Sequence, residues 1–271
     1  MILREISLPE GWYPRDSAAC ARFLSGFAGY RGRARAVIAP HAGWYYSGHI
    51  AAKAISSLDA DAQTIVIVGG HLPAGYPPIF AMEEAAQTPL GHMPIDTELR
   101  ELLMREIDGQ EDIYQDNTVE VLVPIARFFF PEASLVWMRL PAEMPSFEAG
   151  KIIARAARKL KRTVCLAAST DLTHYGPNYG FTPAGKGKKA LAWVTEVNDA
   201  RFIRAVLSAD PKQVLETAAK DFSCCSPGAV LGALGFTAGL NKPCLLEYST
   251  SAAREPEIPD SFVGYAALSL S

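Results

Sequence analysis

Runs of consecutive apolar residues alternate along this chain with segments in which apolar residues recur every three or four positions. The runs predict buried β-strands at residues 34–39, 64–68, 135–138, 163–168, 245–248 and 262–270. The intervening segments predict helices at 47–58, 147–160, 186–207 and 227–240, and Pro211 opens a further short helix. Strands that alternate with helices are typical of a sheet covered by helices on both faces. We therefore predict a single α/β domain over residues 1–271 with a mostly parallel or mixed central sheet.

Composition adds few constraints to this picture. The chain has 271 residues, of which 49% are hydrophobic and 20% charged, as in an ordinary globular protein. Its formal net charge of -3 gives no basic surface for nucleic acid or an anionic membrane. No apolar run is long enough to span a bilayer, and the first residues lack the pattern of a signal peptide. Five cysteines without framework spacing favour a reducing compartment, so we expect a cytoplasmic protein.

Three of the five histidines come shortly after predicted strands. ARAVIAP leads to His41, TIVIVGG to His71, and TVCLAASTDLT to His174. In open α/β sheets ligands bind beyond the carboxyl ends of the strands, and the segment from His41 to His71 has the length of one βαβ unit with parallel strands. Histidine is the commonest metal ligand and acid–base group. The alternative is that each is a surface or hydrogen-bonded core histidine.

Two further features lie near these strand ends. Asp171 precedes His174 by three residues, where its carboxylate either orients the imidazole or caps the following turn. The pair Cys224–Cys225 precedes an apolar helix, where a thiolate gains stability, although free cysteine is also among the most buried residue types. Trp44, Tyr45 and Tyr46 follow His41 and either line an apolar pocket or close the core.

The remaining cysteines and histidines carry weaker signals. Cys20, Cys165 and Cys244 stand in apolar patterns and are predicted to be core residues. His49 falls in the first turn of a predicted helix, and His92 falls in a loop, where a structural role is expected.

The segment APHAGWYYSGH resembles the APHAGYxYSG signature of the Memo family, which is related to the class III (LigB-type) extradiol dioxygenases and includes the B protein of the AmmeMemoRadiSam system. Other segments match in order: IVIVGGH, TPLGHMPID, DNTVEVLVP, STDLTHYG and SCCSPGAVLGAL. The resemblance covers nearly the whole chain, and it implies a LigB-like α/β sandwich.

The resemblance also implies a site. His41 and His71 match two metal-binding histidines, and His174 matches the acid–base histidine with Asp171 beside it. The third family ligand is a cysteine four residues before a proline. Here Ser223 has that position before Pro227, and a one-residue shift gives Cys224 as the expected ligand, with Cys225 as the alternative.

A second departure from the family concerns the pocket. An EHSxE-like family segment corresponds to residues 116–120, so Asn117 replaces a histidine while Glu120 matches. We therefore expect Asn117 and Glu120, together with Trp44 and Tyr46, to line the substrate pocket.

Two functions follow from the resemblance. The preferred one is a metal-dependent oxidoreductase that opens or oxidises a small aromatic diol with O2, using Fe(II), or Cu or Zn because a thiolate favours softer ions. The alternative is a Memo-like metal- or ligand-binding scaffold without turnover, favoured by Asn117 and the displaced cysteine. A zinc hydrolase with His174 as base has less support, because the HExxH helix and paired CxxC motifs are absent from the sequence. A homo-oligomer is compatible with either function.

Overall fold

A computed structural model describes residues 1–28, 32–240 and 242–271. The strands are β1 (Leu3–Arg4), β2 (Ala36–Ala39), β3 (Thr64–Leu72), β4 (Ile79–Phe80), β5 (Ala85–Ala86), β6 (Met93–Pro94), β7 (Gln110–Glu111), β8 (Ser134–Pro141), β9 (Val164–Ser169), β10 (His174–Tyr175), β11 (Cys244–Thr250) and β12 (Phe262–Leu270). The helices are α1 (Ser17–Ser25), α2 (Trp44–Ser56), α3 (Thr97–Met104), α4 (Asn117–Glu120), α5 (Val123–Phe129), α6 (Pro145–Leu160), α7 (Gly187–Trp193), α8 (Asp199–Leu207), α9 (Pro211–Asp221) and α10 (Pro227–Phe236). Single helical turns cover Pro177–Tyr179 and Ser251–Arg254, and a π-helical turn covers Val194–Asn198.

The main sheet is mixed, with a parallel centre. Its order is β10-β12-β2-β9-β3-β8-β4-β7, and β11 pairs with β12. Strands β2, β9, β3 and β8 run parallel to one another. Strand β12 is antiparallel to β2, and β4 is antiparallel to β8. A smaller sheet joins β1, β5 and β6. The predicted α/β fold with a mostly parallel or mixed sheet is confirmed.

Helices cover both faces of this sheet. Along β3, Val66 and Val68 pack into one apolar core, which also contains residues of α6, α8 and α10, whereas Ile65 and Ile67 pack into another with residues of α1, α2 and α5. Successive side chains of a strand point to opposite faces. A strand buried on both faces needs apolar residues at every position, which explains why the central strands are continuous apolar runs in the sequence.

The boundaries of several predicted elements change in the structure, including two helices. The helix predicted at 186–207 is divided by the π-helical turn, where the side-chain amide of Asn198 donates 2.9 Å hydrogen bonds to Thr173 Oγ1 and to the carbonyl of Asp221. The π-helical turn thus ends at a residue that is fixed by tertiary contacts. The helix predicted to reach residue 240 ends at Phe236.

The prediction for one cysteine was wrong. Cys20 and Cys165 are buried as expected, but Cys244 is exposed because it begins strand β11 at the margin of the sheet. No helix among the described residues has the length and apolar character needed to cross a membrane.

Candidate metal centre

Three neighbouring strands of the sheet deliver the site residues to one edge. Ala39 at the end of β2 pairs with Ser169 at the end of β9, and β9 pairs in turn with β3. These strands are parallel, so their carboxyl ends share an edge. His41 follows β2, Asp171 follows β9, and His71 lies near the end of β3. The βαβ unit predicted between His41 and His71 is present, with β9 inserted between its two strands.

His41 is buried and is fixed from several directions. Its backbone N–H donates to Asp171 Oδ1 over 2.8 Å, and its Nδ1 lies 2.9 Å from Ser169 Oγ. The other ring nitrogen, Nε2, lies 3.3 Å from Cys225 Sγ and 3.9 Å from Asp171 Oδ2. Nδ1 therefore positions the imidazole through Ser169, and Nε2 faces the thiol of Cys225.

His71 occupies a backbone conformation that is rare for a residue other than glycine. Its φ of 59° lies in the left-handed region, where such strain is concentrated at functional sites. Nδ1 of His71 lies 3.0 Å from Asp116 Oδ2, and Arg139 contacts the same carboxylate oxygen over 3.1 Å. A carboxylate accepts hydrogen bonds, so Nδ1 is the donor and Nε2 is left free for a ligand.

The thiol that joins the two imidazoles belongs to Cys225. Ligand atoms of His41, His71 and Cys225 all lie within 4.8 Å of one another, and the two imidazole rings meet edge to face with centroids 5.0 Å apart. Cys224, the cysteine expected from the sequence, is not part of this group. Its Sγ lies 3.1 Å from Thr170 Oγ1. Cys225 lies directly before the helix start at Ser226 and Pro227, and its Sγ contacts the imidazole of His41.

The charges of these groups depend on one another. Burial alone would lower the pKa of His71, but hydrogen bonds with Asp116 and Cys225 outweigh it and raise the pKa to about 10. Burial alone would raise the pKa of Cys225, but the charge of His41 and hydrogen bonds with both histidines hold that pKa well below its ordinary value. The two imidazoles therefore favour the thiolate form of Cys225, and a thiolate beside two imidazoles suits a bound cation.

Asp171 and His174 lie beside this group. Asp171 is buried, and burial raises the pKa of its carboxyl despite the opposing charge of His41. His174 is half-buried, and its Nδ1 lies 3.1 Å from the carbonyl of Leu172. Because a carbonyl only accepts, Nδ1 carries the hydrogen and Nε2 is left as a proton acceptor.

A cavity of about 490 Å³ opens over these groups, and His41, His71, Asp171 and His174 all line it. Of the residues expected to line the pocket, Tyr46 and Asn117 do so, and the Asn117 amide also donates to the carbonyl of His41 over 3.0 Å.

The other two residues expected in the pocket lie elsewhere. Trp44 is a core residue whose Nε1 donates to the carbonyl of Val121 over 3.1 Å. Glu120 is buried, where it accepts hydrogen bonds from the backbone of Ser7 and Leu8 and from the Tyr13 hydroxyl. It anchors the N-terminal segment and does not line the cavity.

Several residues of this site were not predicted from the sequence. Asp116 and Ser169 position the two imidazoles, while Tyr179, Tyr265 and Glu255 line the cavity. Asp116 could have been found from its place in the same short segment as Asn117. Residues 255 and 265 come from the end of the chain, and no local pattern connects them with the histidines.

Comparison with known proteins identifies the family of this chain. A family model described as "Memo-like protein" matches residues 4–269. The chain belongs to the Memo-like family. A MEMO1 family protein of Thermococcus onnurineus is 29% identical over 98% of this chain and 99% of its own length. A MEMO1 family protein of Pyrobaculum arsenaticum is 32% identical over 85% of this chain and 81% of its own.

The fold also has a solved counterpart. The crystal structure of an uncharacterized protein from Escherichia coli K12 superimposes with a TM-score of 0.53, covering 87% of this chain and 99% of its own, at 15% sequence identity. This likeness concerns the fold alone. The chain therefore shares the architecture of the Memo-like family, and its chemistry depends on the residues of the site.

Proposed function

We propose that this protein is a metal-dependent oxidoreductase of the extradiol dioxygenase type, acting on a small aromatic diol-like substrate with O2. The observation that supports the proposal is the placement of a His41–His71–Cys225 donor set and a free His174 imidazole around one cavity. A set of titratable groups that converges on one cavity is a signal of a functional site.

The donor set fits a transition metal. Two imidazoles and a thiolate are ligands that Fe, Cu and Zn accept. Asp116 leaves Nε2 of His71 free, and the thiol of Cys225 is disposed to ionise. We propose Fe(II) as the metal, with Cu or Zn as the alternatives that a thiolate favours. When bound, such an ion would supply the redox and Lewis-acid chemistry that a diol and O2 require.

His174 provides the proton transfers. Its Nε2 is a free acceptor in the cavity, because Nδ1 is engaged by the carbonyl of Leu172. An imidazole with one nitrogen fixed in this way can take a proton from a substrate hydroxyl and return it later in the reaction.

The cavity walls suit a planar substrate. Tyr46, Tyr179 and Trp12 supply aromatic surface, and Asn117, Asn178 and Ser251 supply hydrogen-bonding groups. A volume of about 490 Å³ lies within the range of small-molecule sites. We infer a single aromatic ring with polar substituents as the substrate.

The test is metal content and oxygen uptake of protein purified anaerobically and loaded with Fe(II), Cu(I) or Zn(II). We expect stoichiometric metal and O2 consumption with catechol in the Fe(II) form. The variant His174→Ala should keep the metal and lose turnover by about 10²- to 10⁴-fold. The variant His92→Ala is the matched control, since His92 is exposed in a loop. Loss of metal in His174→Ala would contradict the acid–base role.

A second candidate is a Memo-like binding protein without turnover. Asn117 favours it, because a side chain that cannot transfer protons replaces the histidine of the family segment and holds the carbonyl of His41. Stoichiometric metal without oxygen uptake for any of a series of catechols would favour this candidate.

A further inference from the structure

A second cavity, of about 320 Å³, lies beside the first. His174 and Tyr179 line both cavities, whereas Cys224 and Cys225 line the second one. The second cavity is otherwise largely apolar, with Phe181 and Phe222 in its wall. The cysteine pair therefore has its own approach from outside, separate from the cavity of the metal centre.

Phe222 is an unusual wall residue. It ends helix α9 with φ 48°, in the left-handed region that bulky residues rarely adopt. Its side chain is also left 66% exposed, with its ring 5.5 Å from that of Phe181. Backbone strain is commonly kept where it positions a functional group. Here the strained backbone holds an exposed aromatic ring at the entrance to the two thiols.

The two thiols have different surroundings. Both Sγ atoms contact the hydroxyl of Thr170, at 3.1 Å for Cys224 and 3.6 Å for Cys225. Sγ of Cys225 also receives the backbone N–H of Asp171 over 3.2 Å and lies 3.3 Å from His41 Nε2. Cys225 is half-buried whereas Cys224 is buried, so a molecule in the second cavity reaches the Cys225 sulfur first. Cys225 is thus the attacking sulfur and Cys224 the resolving one.

We propose that Cys224 and Cys225 form an oxidisable thiol pair that is reached through the second cavity by organic hydroperoxides with an apolar or aromatic group. Cys225 sulfur attacks the terminal peroxide oxygen, so that an S–O bond forms and the O–O bond breaks. The alkoxide leaves as the alcohol with the proton lost by Cys225. Cys224 sulfur then attacks Cys225 sulfur, the S–S bond forms, and the hydroxyl leaves as water. Two thiols lose two electrons, and one hydroperoxide is reduced.

The loop geometry makes this disulfide strained, and therefore reversible. Residues 222–226 lie outside regular helices and strands, and the two sulfur atoms contact the same hydroxyl, that of Thr170. Neighbouring Cα atoms are about 3.8 Å apart, below the usual range for disulfides, and a strained disulfide is readily reduced. The consequence for the metal rests on the proposed function: Cys225 in a disulfide is lost as the third ligand.

The experiment uses the metal-free full-length chain with Cys244→Ser, which removes the exposed thiol. Cumene hydroperoxide or hydrogen peroxide is added, and intact mass and peptide mapping follow the products. We expect loss of two hydrogens, a disulfide within the Cys224–Cys225 peptide, and faster reaction with cumene hydroperoxide. Cys224→Ser should yield a sulfenic or sulfinic acid at Cys225, and Cys225→Ser should leave Cys224 reduced. If the Cys244→Ser protein instead showed a fully oxidised Cys225 and a reduced Cys224, the proposal that the two cysteines react as a pair would be wrong.

The entrance is tested separately with Phe222→Ala. Loss of an aromatic contact should slow the reaction with cumene hydroperoxide roughly threefold to tenfold and leave the rate with hydrogen peroxide unchanged. Leu240→Ala is the control, because Leu240 is another exposed apolar side chain outside this cavity. Equal rates with cumene hydroperoxide for Phe222→Ala and its parent would contradict the role of Phe222 in binding an apolar group at the entrance. A chain that forms the disulfide but binds no metal would refute only the proposed function, and the converse result would refute only this inference.

Discussion

The Nδ1 atom of His71 lies 3.0 Å from a carboxylate oxygen of Asp116, whereas Nδ1 of His41 lies 2.9 Å from the hydroxyl of Ser169. The Nδ1 atoms of the two imidazoles therefore have hydrogen-bond partners of different charge, a carboxylate for His71 and a neutral hydroxyl for His41. Asp116 is itself held by Arg139, which also binds Asp112 through two hydrogen bonds of 3.0 and 3.1 Å. A carboxylate partner fixes the tautomer and makes the imidazole a more basic ligand.

Replacing Asp116 by Asn should weaken metal binding. The amide keeps the size of the side chain but lacks the negative charge, so Nε2 of His71 becomes a poorer donor. Loss of the hydrogen-bond partner of a metal-binding histidine lowers metal affinity by about 10- to 100-fold. We expect Asp116→Asn to fall in that range. Competition with a chelator of known affinity measures the change.

Ser169→Ala is the matched control for this prediction. It removes a neutral partner from His41, which keeps its backbone hydrogen bond to Asp171. We expect a smaller loss of affinity than for Asp116→Asn. Equal losses in the two variants would show that the charge of Asp116 has no special role.

The identity of the sulfur ligand gives a second prediction. Cys225→Ser removes a metal ligand. It should therefore lower metal affinity by more than the roughly 10- to 100-fold loss expected when a histidine ligand loses its hydrogen-bond partner. Cys224→Ser should retain the metal, because Sγ of Cys224 contacts Thr170 and lies outside the donor set. Elemental analysis after dialysis against a weak chelator distinguishes them. Retention by Cys225→Ser and loss by Cys224→Ser would restore the ligand expected from the sequence.

The sheet and most helices could be predicted from the sequence because each depends on a local pattern. Residues 64–68 form a continuous apolar run, and they are buried on both faces of the central sheet. The π-helical turn at Val194–Asn198 has no local pattern that predicts it, and its last residue, Asn198, contacts Thr173, a residue remote in the sequence.

The site was predictable as far as strand ends define it. His41, His71, Asp171 and His174 meet at one cavity because they lie at or just beyond the ends of β-strands of the same sheet. The direction of a side chain in a loop could not be predicted from the sequence. No periodic pattern distinguishes Cys224 from Cys225, and the aromatic residue Trp44 packs beneath the loop while Tyr46 faces the cavity.

A buried carboxyl group behind His174 makes stability depend on pH. Asp199 accepts hydrogen bonds from the backbone of Thr173 over 3.1 Å and from the Tyr248 hydroxyl over 2.7 Å. Burial raises the pKa of Asp199 from 3.8 to about 6, although these hydrogen bonds partly oppose the shift. The folded chain therefore binds this proton more tightly than the unfolded chain does.

Because the pKa of Asp199 is higher in the folded state, its contribution to the free energy of unfolding is fully present below pH 3.8 and is lost as the pH rises through about 6. The shift corresponds to a loss on the order of 3 kcal/mol. Asp199→Asn lacks this titration, so its stability relative to the parent should rise between pH 4 and pH 7. Urea unfolding at several pH values measures the difference, and a constant difference would contradict the raised pKa.

Gly70, next to His71, lies in close contact with the loop that carries Cys225. A Cβ at this position would lie 2.8 Å from Cα of Ser226 and closer still to the Ser226 side chain. Gly70→Ala must therefore move either the end of β3 or the start of α10, which separates His71 from Cys225. We expect a loss of about 1–3 kcal/mol in the free energy of unfolding and weakened metal binding in the folded protein. Gly26→Ala is the control, because its Cβ would meet nothing closer than 3.9 Å and its φ is -61°. Metal affinity equal to the parent in a folded Gly70→Ala variant would mean that the donor set does not require this close approach.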